Sequence, residues 1–325
     1  MRQGNHDEVL LEPAGSKSDW EGACAGLADI TAFHRYDFLD AVASSLQCRF
    51  VPLLVLFRGQ KAGVAPLIVK QRGPFCAINS VPFPYLGPLV PAALIPATLA
   101  ALVREAKRRR AQTHCQWFSH AVAAPAPGGF TVRTDNALVI PLSDRSDEDL
   151  MAAMQPSRRQ EIRRAQRDGL EVGPAKAEDF ELMDNWSSQF YAARGLPAAY
   201  PAGTYERVFR VLGNSPGSIF SAARINGRTV GVEIDLAASG RMFGWQFAID
   251  PVYKSSYPQA LILWHALIRA RDAGASEFDL IGAPTESIAV YKKRYGALER
   301  PCTVMFRMTT LHRMALPALT HLKLH

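Results

Sequence analysis

Asn226-Gly227 is the feature that most restricts how this chain can fold. Both residues take positive φ at little cost, so the pair fits the centre of a tight hairpin turn. The runs on either side, Ile219 to Ile225 and Thr229 to Leu236, have strand composition. A third strand, Arg241 to Ile249, is stopped by Asp250-Pro251, because the residue before proline resists helix and proline has no N–H for a ladder. Pro258 suits the first position of a helix, and Leu261, Trp264, Ala266, Leu267, Ile268 and Ala270 give that helix a broad apolar face ending at Gly274. Glu277 to Gly282 is short and apolar enough to be a strand buried on both faces, and it leads to Tyr291-Lys292-Lys293-Arg294-Tyr295-Gly296. With Arg300 to Met308 as the last strand of the same domain, the order is β-β-β-α-β-α-β.

A chain of 325 residues is longer than one ordinary core sustains, so two domains are expected. With 48% hydrophobic and 21% charged residues, both should be globular rather than disordered. Ala121 to Gly129 is rich in Ala, Pro and Gly, and a short strand follows at Asn136 to Leu142. The division is therefore placed at 1–143 and 144–325. The N-terminus is polar through Asp19, and Leu89 to Val103 is broken by Pro91 and Pro96, so neither a secretory nor a transmembrane segment is expected. Cys24, Cys48, Cys76, Cys115 and Cys302 are odd in number, scattered and without a Cys-x-x-Cys pair. Reduced thiols in a cytoplasmic protein fit that pattern, each acting as a small buried hydrophobe. No His/Cys/Asp spacing suggests a metal site, and His265 reads as a core residue.

The run Ala223 through Gly231, the Tyr257-Pro258 helix with Leu263-Trp264-His265, the strand Phe278 to Gly282 and Tyr291-Lys292 with Tyr295-Gly296 resemble the Fem-type branch of the GNAT acyltransferase superfamily. That branch includes peptidoglycan-bridge aminoacyltransferases and related proteins with two GNAT-like domains in tandem. Pro156 to Ala165, ending in Asp168-Gly169, is similar to the basic helix that opens the family's second domain. Arg58-Gly59-Gln60-Lys61 could turn a first-domain hairpin. Pro84-Tyr85-Leu86-Gly87-Pro88 resembles a Tyr-Gly-Gly-Pro-like segment in which Leu86 replaces one glycine. The likeness is strongest from Ser157 to Gly296, weaker from Phe33 to Pro91 and absent at both termini. It implies an α/β (α+β) fold of two tandem GNAT-like domains, each a mixed, mainly antiparallel sheet flanked by helices. It also implies an acyltransferase that forms an amide by direct attack of an amine on an activated acyl or aminoacyl group, with no covalent enzyme intermediate.

The resemblance makes Lys292 the leading catalytic candidate, supplying positive charge near the reacting ester, with Tyr291 completing the motif. For the general base the candidates are Asp279, an acid inside a buried strand, and Glu286; the competing readings are a loop-capping Asp279 and an exposed Glu286. Ser157-x-x-Gln160 is a capping-box pattern that makes Ser157 the N-cap and puts Arg158 and Arg159 in the first helical turn. Positive charge there opposes the macrodipole unless an anion is bound. By helical spacing Arg158 lies on the side of Ile162 and Ala165, so Arg158 and then Arg159 are the expected phosphate contacts. Trp245 and Tyr257 could line an acyl pocket, although such aromatics are more often core, and Tyr85 is a further substrate-binding candidate.

The donor turns on Tyr253-Lys254-Ser255-Ser256-Tyr257-Pro258, which stands where ordinary GNAT enzymes hold coenzyme A pyrophosphate on a glycine-rich loop. No glycine occurs here, which favours aminoacyl-tRNA over acyl-CoA as co-substrate, while Lys254 and the serines could still hold a phosphate. No tightly bound cofactor is expected. A net charge of +7 and a pI near 9.3 suit anionic partners such as tRNA or nucleotide phosphates; the acceptor is an amine-bearing small molecule or peptide. The alternative from another class is a non-catalytic RNA- or membrane-surface-binding protein on the same scaffold. Its support is the basic composition and an apolar helical stripe from Leu311 to Leu322, which leaves peripheral membrane contact open.

Overall fold

The computed structural model describes residues 8–27, 29–123, 129–283, 285–310 and 313. The chain forms two compact units, residues 1–135 with 301–325, and residues 136–300, where the sequence was read as dividing at 143/144.

The first unit comprises β1 (Val9–Pro13), α1 (Lys17–Cys24), α2 (Tyr36–Ser45), β2 (Arg49–Phe57), β3 (Gln60–Arg72), β4 (Phe75–Ile78), α3 (Ile95–Arg108), β5 (Thr113–Trp117) and the start of β6 (Phe130–Pro141). The second comprises α4 (Asp147–Ala153), α5 (Pro156–Arg167), β7 (Leu170–Pro174), α6 (Asp179–Ala192), α7 (Thr204–Leu212), β8 (Ile219–Ile225), β9 (Arg228–Ala238), β10 (Arg241–Ile249), α8 (Pro258–Asp272), β11 (Glu277–Gly282) and α9 (Glu286–Lys293). The last described strand is β12 (Leu298–Met308).

From β1 to β5 and from β7 to β11 the two units repeat one pattern, β-α-α-β-β-β-α-β. Pairing repeats too. Strands β1 to β4 are joined antiparallel and β4 pairs β5 in parallel; β7 to β10 are joined antiparallel and β10 pairs β11 in parallel. Each unit is thus a mixed, mainly antiparallel sheet flanked by helices, although the two copies share no obvious sequence repeat.

The sixth strand of each sheet comes from an unexpected part of the chain. Beside β11 lies β6, with Ala137 to Pro141 antiparallel to Gly282 back to Glu277. Beside β5 lies β12, with Val304 to Met308 antiparallel to Trp117 back to Thr113. Arg300 to Met308 therefore does not close the C-terminal sheet as expected; from Pro301 it belongs to the first unit. The two strands are of similar length and each carries an apolar run, and strand composition does not specify which free edge a strand will pair with.

Local chemistry explains the second unit. Asn226 and Gly227 take φ of 50° and 77°, as the β8–β9 turn demands, and Arg58 and Gly59 do the same for β2–β3 with 53° and 75°. Pro258 begins α8, whose residues from Ala260 to Trp264 are all buried, between the sheet and α5. Gly231 permits that close packing: a Cβ there would stand 3.0 Å from Ile262 and 3.3 Å from Pro258. The opposite sheet face carries α6 and α7, where Phe180 and Phe209 pack on Phe220 of β8. At α5 the expected cap is displaced. The helix begins at Pro156 after Gln155, and Ser157 does not cap it, because proline's fixed φ already suits the first helical position.

Candidate active site

The second unit's parallel ladder is short. Arg241 to Phe243 of β10 pair with Glu277 to Asp279 of β11, yet β10 runs on to Ile249 and β11 to Gly282. Beyond Phe243 and Asp279 the strands part and leave a wedge. Irregularities on both strands reinforce the parting. A bulge between Gly244 and Gln246 disturbs β10, and Ile281, at φ 63°, marks a register break in β11.

Lys292, on the last turn of α9, closes the end of β11. Its Nζ donates to the carbonyl oxygens of Leu280 at 2.5 Å and Gly282 at 2.8 Å. Burial lowers its pKa to about 8 against the opposing pull of Asp279, so the ammonium form still prevails at neutral pH. An ammonium has three donors, and these two bonds use two of them. Asp279 is fully buried, 0% exposed. Its carboxylate accepts from the Ile281 N–H at 2.7 Å and from Arg300 Nη2 at 2.6 Å, while Arg300 Nη1 donates to Glu277 at 2.5 Å. Asp279 thus ties the β11 bulge and neutralises a guanidinium, the loop-capping arrangement weighed against a general base.

Glu286 is the first residue of α9 and exposed, behind Thr285, whose hydroxyl caps the helix from Ile288 N–H. It lines a cleft of about 480 Å³ with Ser287, Val290, Tyr291 and Arg294. The start of α5 is fastened to the end of α9 by the bond from Gln155 N–H to Arg294 O at 2.9 Å. Arg158 consequently stacks on Tyr291 and Tyr295, with its guanidinium carbon 5.2 Å and 5.7 Å from the ring centroids, and it bonds Glu161. The two tyrosine hydroxyls meet at 2.9 Å. Burial raises the Tyr291 phenol well above its ordinary pKa, so it stays protonated. Arg159 is half-buried on the same helix.

The remaining candidates lie elsewhere. Trp245 is core on the α6 face: its Nε1 donates to Tyr200 O–H at 3.2 Å and its ring meets Tyr200 and Tyr205 edge to face. Tyr257 adopts left-handed backbone at φ 56° before α8, under the guanidinium of Arg164, and Lys254 is exposed in the preceding 3-10 turn. Tyr85 belongs to the first unit, fully buried against Trp117 and Phe33. The stripe from Leu311 to Leu322 lies outside the described residues apart from Arg313. The five cysteines all lie in the first unit, where burial pushes thiols up, to about 12 for Cys24 and about 11 for Cys115.

Sequence reasoning missed the acid pair Glu233 and Asp235 of β9. Two residues apart on a strand, they share the sheet face turned to α8, as does Ser221, the cross-strand partner of Glu233. Burial raises Glu233 to about 8, and burial with the neighbouring Glu233 raises Asp235 well above the usual carboxylate range. The available signal was two acids at period two in a run of valine, isoleucine and leucine, a pattern that ordinarily marks a solvated face. Among the described residues, no group of His, Cys, Asp or Glu could hold a metal ion, and no helix is long and apolar enough to cross a membrane.

This wedge, lysine clamp and layer of helices define a class. Residues 156–293, most of the second unit, match the family model of the Acetyltransferase (GNAT) domain, so that stretch is GNAT-like. The chain as a whole shares its fold with the crystal structure of FemX, at TM-score 0.72 and 12% identity over 94% of this chain and 99% of that one. L-PGS from Bacillus licheniformis shares the fold at TM-score 0.59 and 10% identity, covering 94% of this chain and 96% of its own. So does a tandem GNAT protein from the clavulanic acid biosynthesis pathway, at TM-score 0.51 and 12% identity over 93% and 98%. No curated protein matches the chain by sequence.

Proposed function

We propose that this protein transfers an aminoacyl group from aminoacyl-tRNA to an acceptor amine, forming an amide by direct attack on the ester. The observation that carries the reading is the wedge between β10 and β11 with Lys292 clamped at its edge. A strand parting of this kind exposes backbone polar groups beside a fixed positive charge, an arrangement able to stabilise a carbonyl oxygen as it gains charge. The third Lys292 donor serves that oxygen, and the carbonyls of Leu280 and Gly282 hold the ammonium in place. Arg158, held between Tyr291, Tyr295 and Glu161, offers a preoriented cation for donor or acceptor phosphate.

The glycine-free turn from Asp250 to Tyr257 supports tRNA over coenzyme A, because a compact 3-10 turn with left-handed Tyr257 differs from a glycine loop open to pyrophosphate. The likeness to FemX and to L-PGS supports the same choice by fold analogy. Acyl-CoA is the second reading, favoured by Lys254, Ser255 and Ser256 at the foot of α8 and by the shared fold of an N-myristoyltransferase solved with myristoyl-CoA, at TM-score 0.54 and 12% identity.

Purified protein supplied with labelled aminoacyl-tRNA and acyl-CoA pools, each with a mixed amine extract, tests the reading. Label should pass to an amine from aminoacyl-tRNA. Transfer from acyl-CoA alone would replace the donor, and transfer from neither would favour a binding protein on this scaffold.

A further inference from the structure

Four buried polar atoms of the second unit lack hydrogen-bond partners on one face of adjacent strands: Glu233 Oε2, both Asp235 carboxylate oxygens and Ser221 Oγ. Such atoms are costly in a folded interior, where nearly every buried polar group is paired, and four together on a sheet face mark a place held for chemistry. Their position relates them to the wedge. Asp235 pairs across the ladder with Gly244, the first β10 residue beyond the strands' parting. A Cβ at Gly244 would come within 3.6 Å of Asp235 Oδ1 and 2.9 Å of the Phe278 ring, so only glycine leaves that acid unscreened by a β10 side chain. Glu233 pairs with Phe247. Phe247 is 47% exposed and Glu233 6%, so the acid sits just inside an apolar lip that reaches solvent.

Resting on the amide-forming reading, we infer that Glu233 accepts the proton that the attacking amine must lose, while Asp235, deeper in the sheet, keeps its own proton. As the amine nitrogen bonds to the acyl carbon, the bond from that carbon to the donor's ester oxygen breaks, and the electron pair leaves on that oxygen. The N–H proton passes to the Glu233 carboxylate, which then returns it to the departing oxygen, so the enzyme ends as it began. Ser221 Oγ, opposite Glu233 on β8 and itself without a partner, is free to donate a hydrogen bond to that carboxylate once it ionises.

The charged and titratable surroundings agree with this division of roles. From α8, Arg269 acts on Asp235; from α9, Tyr291 faces Glu233; on β9 the two acids face each other. Like charges in contact do not ionise together, so one proton leaves the pair well before the other. A base that titrates close to the working pH combines availability with proton affinity.

The test is the pH–rate profile of transfer by the wild type, Glu233→Gln and Asp235→Asn. The wild type should show a rate that rises with pH towards about 8, as Glu233 gives up its proton, and falls above it, as Lys292 loses its ammonium charge. Glu233→Gln should lose on the order of 10²- to 10⁴-fold in rate and the rising limb with it. Asp235→Asn, which mimics the protonated acid, should keep the limb and most of the rate. A Glu233→Gln enzyme with wild-type rate and limb overturns the inference, as does a reversal between the two variants. Absence of transfer by the wild type overturns the amide-forming reading itself. Should Glu233→Gln not fold, the infrared carbonyl band of a protonated carboxyl in the wild type decides: it should weaken as pH passes about 8, and a band unchanged across that range overturns the assignment.

Discussion

Glu233→Gln should make the protein's stability far less sensitive to pH, and the size of that effect follows from where Glu233 sits. In the unfolded chain its carboxyl titrates near 4.5, and burial in the folded sheet raises this to about 8. Between those values the folded protein binds the proton that the unfolded chain has released. Stability therefore declines as pH rises through the interval, and the full contribution of the neutral acid is present only below it. At about 1.4 kcal/mol per pH unit, the interval amounts to roughly 5 kcal/mol, a large share of a typical domain's stability. Glutamine has the neutral acid's shape and cannot ionise, so the variant should gain on the wild type as pH rises, by several kcal/mol near pH 8. Urea unfolding followed by circular dichroism at a series of pH values, with slopes compared as well as midpoints, measures this directly. Asp235→Asn supplies the control, because the Glu233 contribution should persist in it. Parallel stability profiles for the wild type and Glu233→Gln would refute the argument, since they would mean that Glu233 meets solvent or a cation as an ordinary carboxylate.

Three further outcomes follow from side chains already described. Lys292→Met should lower transfer on the order of 10²- to 10³-fold while the far-ultraviolet dichroism stays that of a folded protein; unaltered turnover would remove the lysine from the chemistry. Arg300→Met leaves the buried Asp279 carboxylate without its guanidinium and should cost about 3 kcal/mol in urea unfolding, and a change below the measurement error would show that the ion pair is dispensable. Gly63→Ala would set a Cβ 2.0 Å from the Leu89 carbonyl oxygen, across the bridge between Val64 and Leu89, and should lower the melting temperature through overpacking of about 3 kcal/mol; an unshifted melting curve would mean that the β3 backbone yields freely.

Much of the second unit was legible in the sequence because its signals are local. Asn226-Gly227 dictated a turn, Asp250-Pro251 ended β10 and Pro258 opened α8, all within a few residues of where the chain shows them. The alternation of β9 was legible as a strand but not as a burial pattern, for a strand that places Glu233 and Asp235 on one face ordinarily turns them to water. Here α8 covers that face, and no local rule announces a covering helix. Asp279 shows the same limit: its partner Arg300 lies 21 residues on, across α9, and only the fold brings the two to 2.6 Å. At α5 two local signals competed, and proline's fixed backbone prevailed over the capping pattern at Ser157. Trp245 was eligible for a pocket or for the core, and the choice rested on Tyr200 and Tyr205, which the sequence places some forty residues away.

The crossing of β6 and β12 between the two sheets bears on how the molecule comes into being on a ribosome. Synthesis runs from the N-terminal side, yet the sheet begun first lacks its outer strand until Val304 to Met308 have been made. The sheet begun second is complete once Gly282 has emerged, since β6 is already waiting. The later-encoded half is thus the earlier to have all its strands, and the N-terminal half spends most of translation with β5 as an open edge. An open edge is an invitation to pair with the wrong chain. The polar His114 and Gln116 and the brevity of β5, five residues, are features that make such an edge a poor template while it waits.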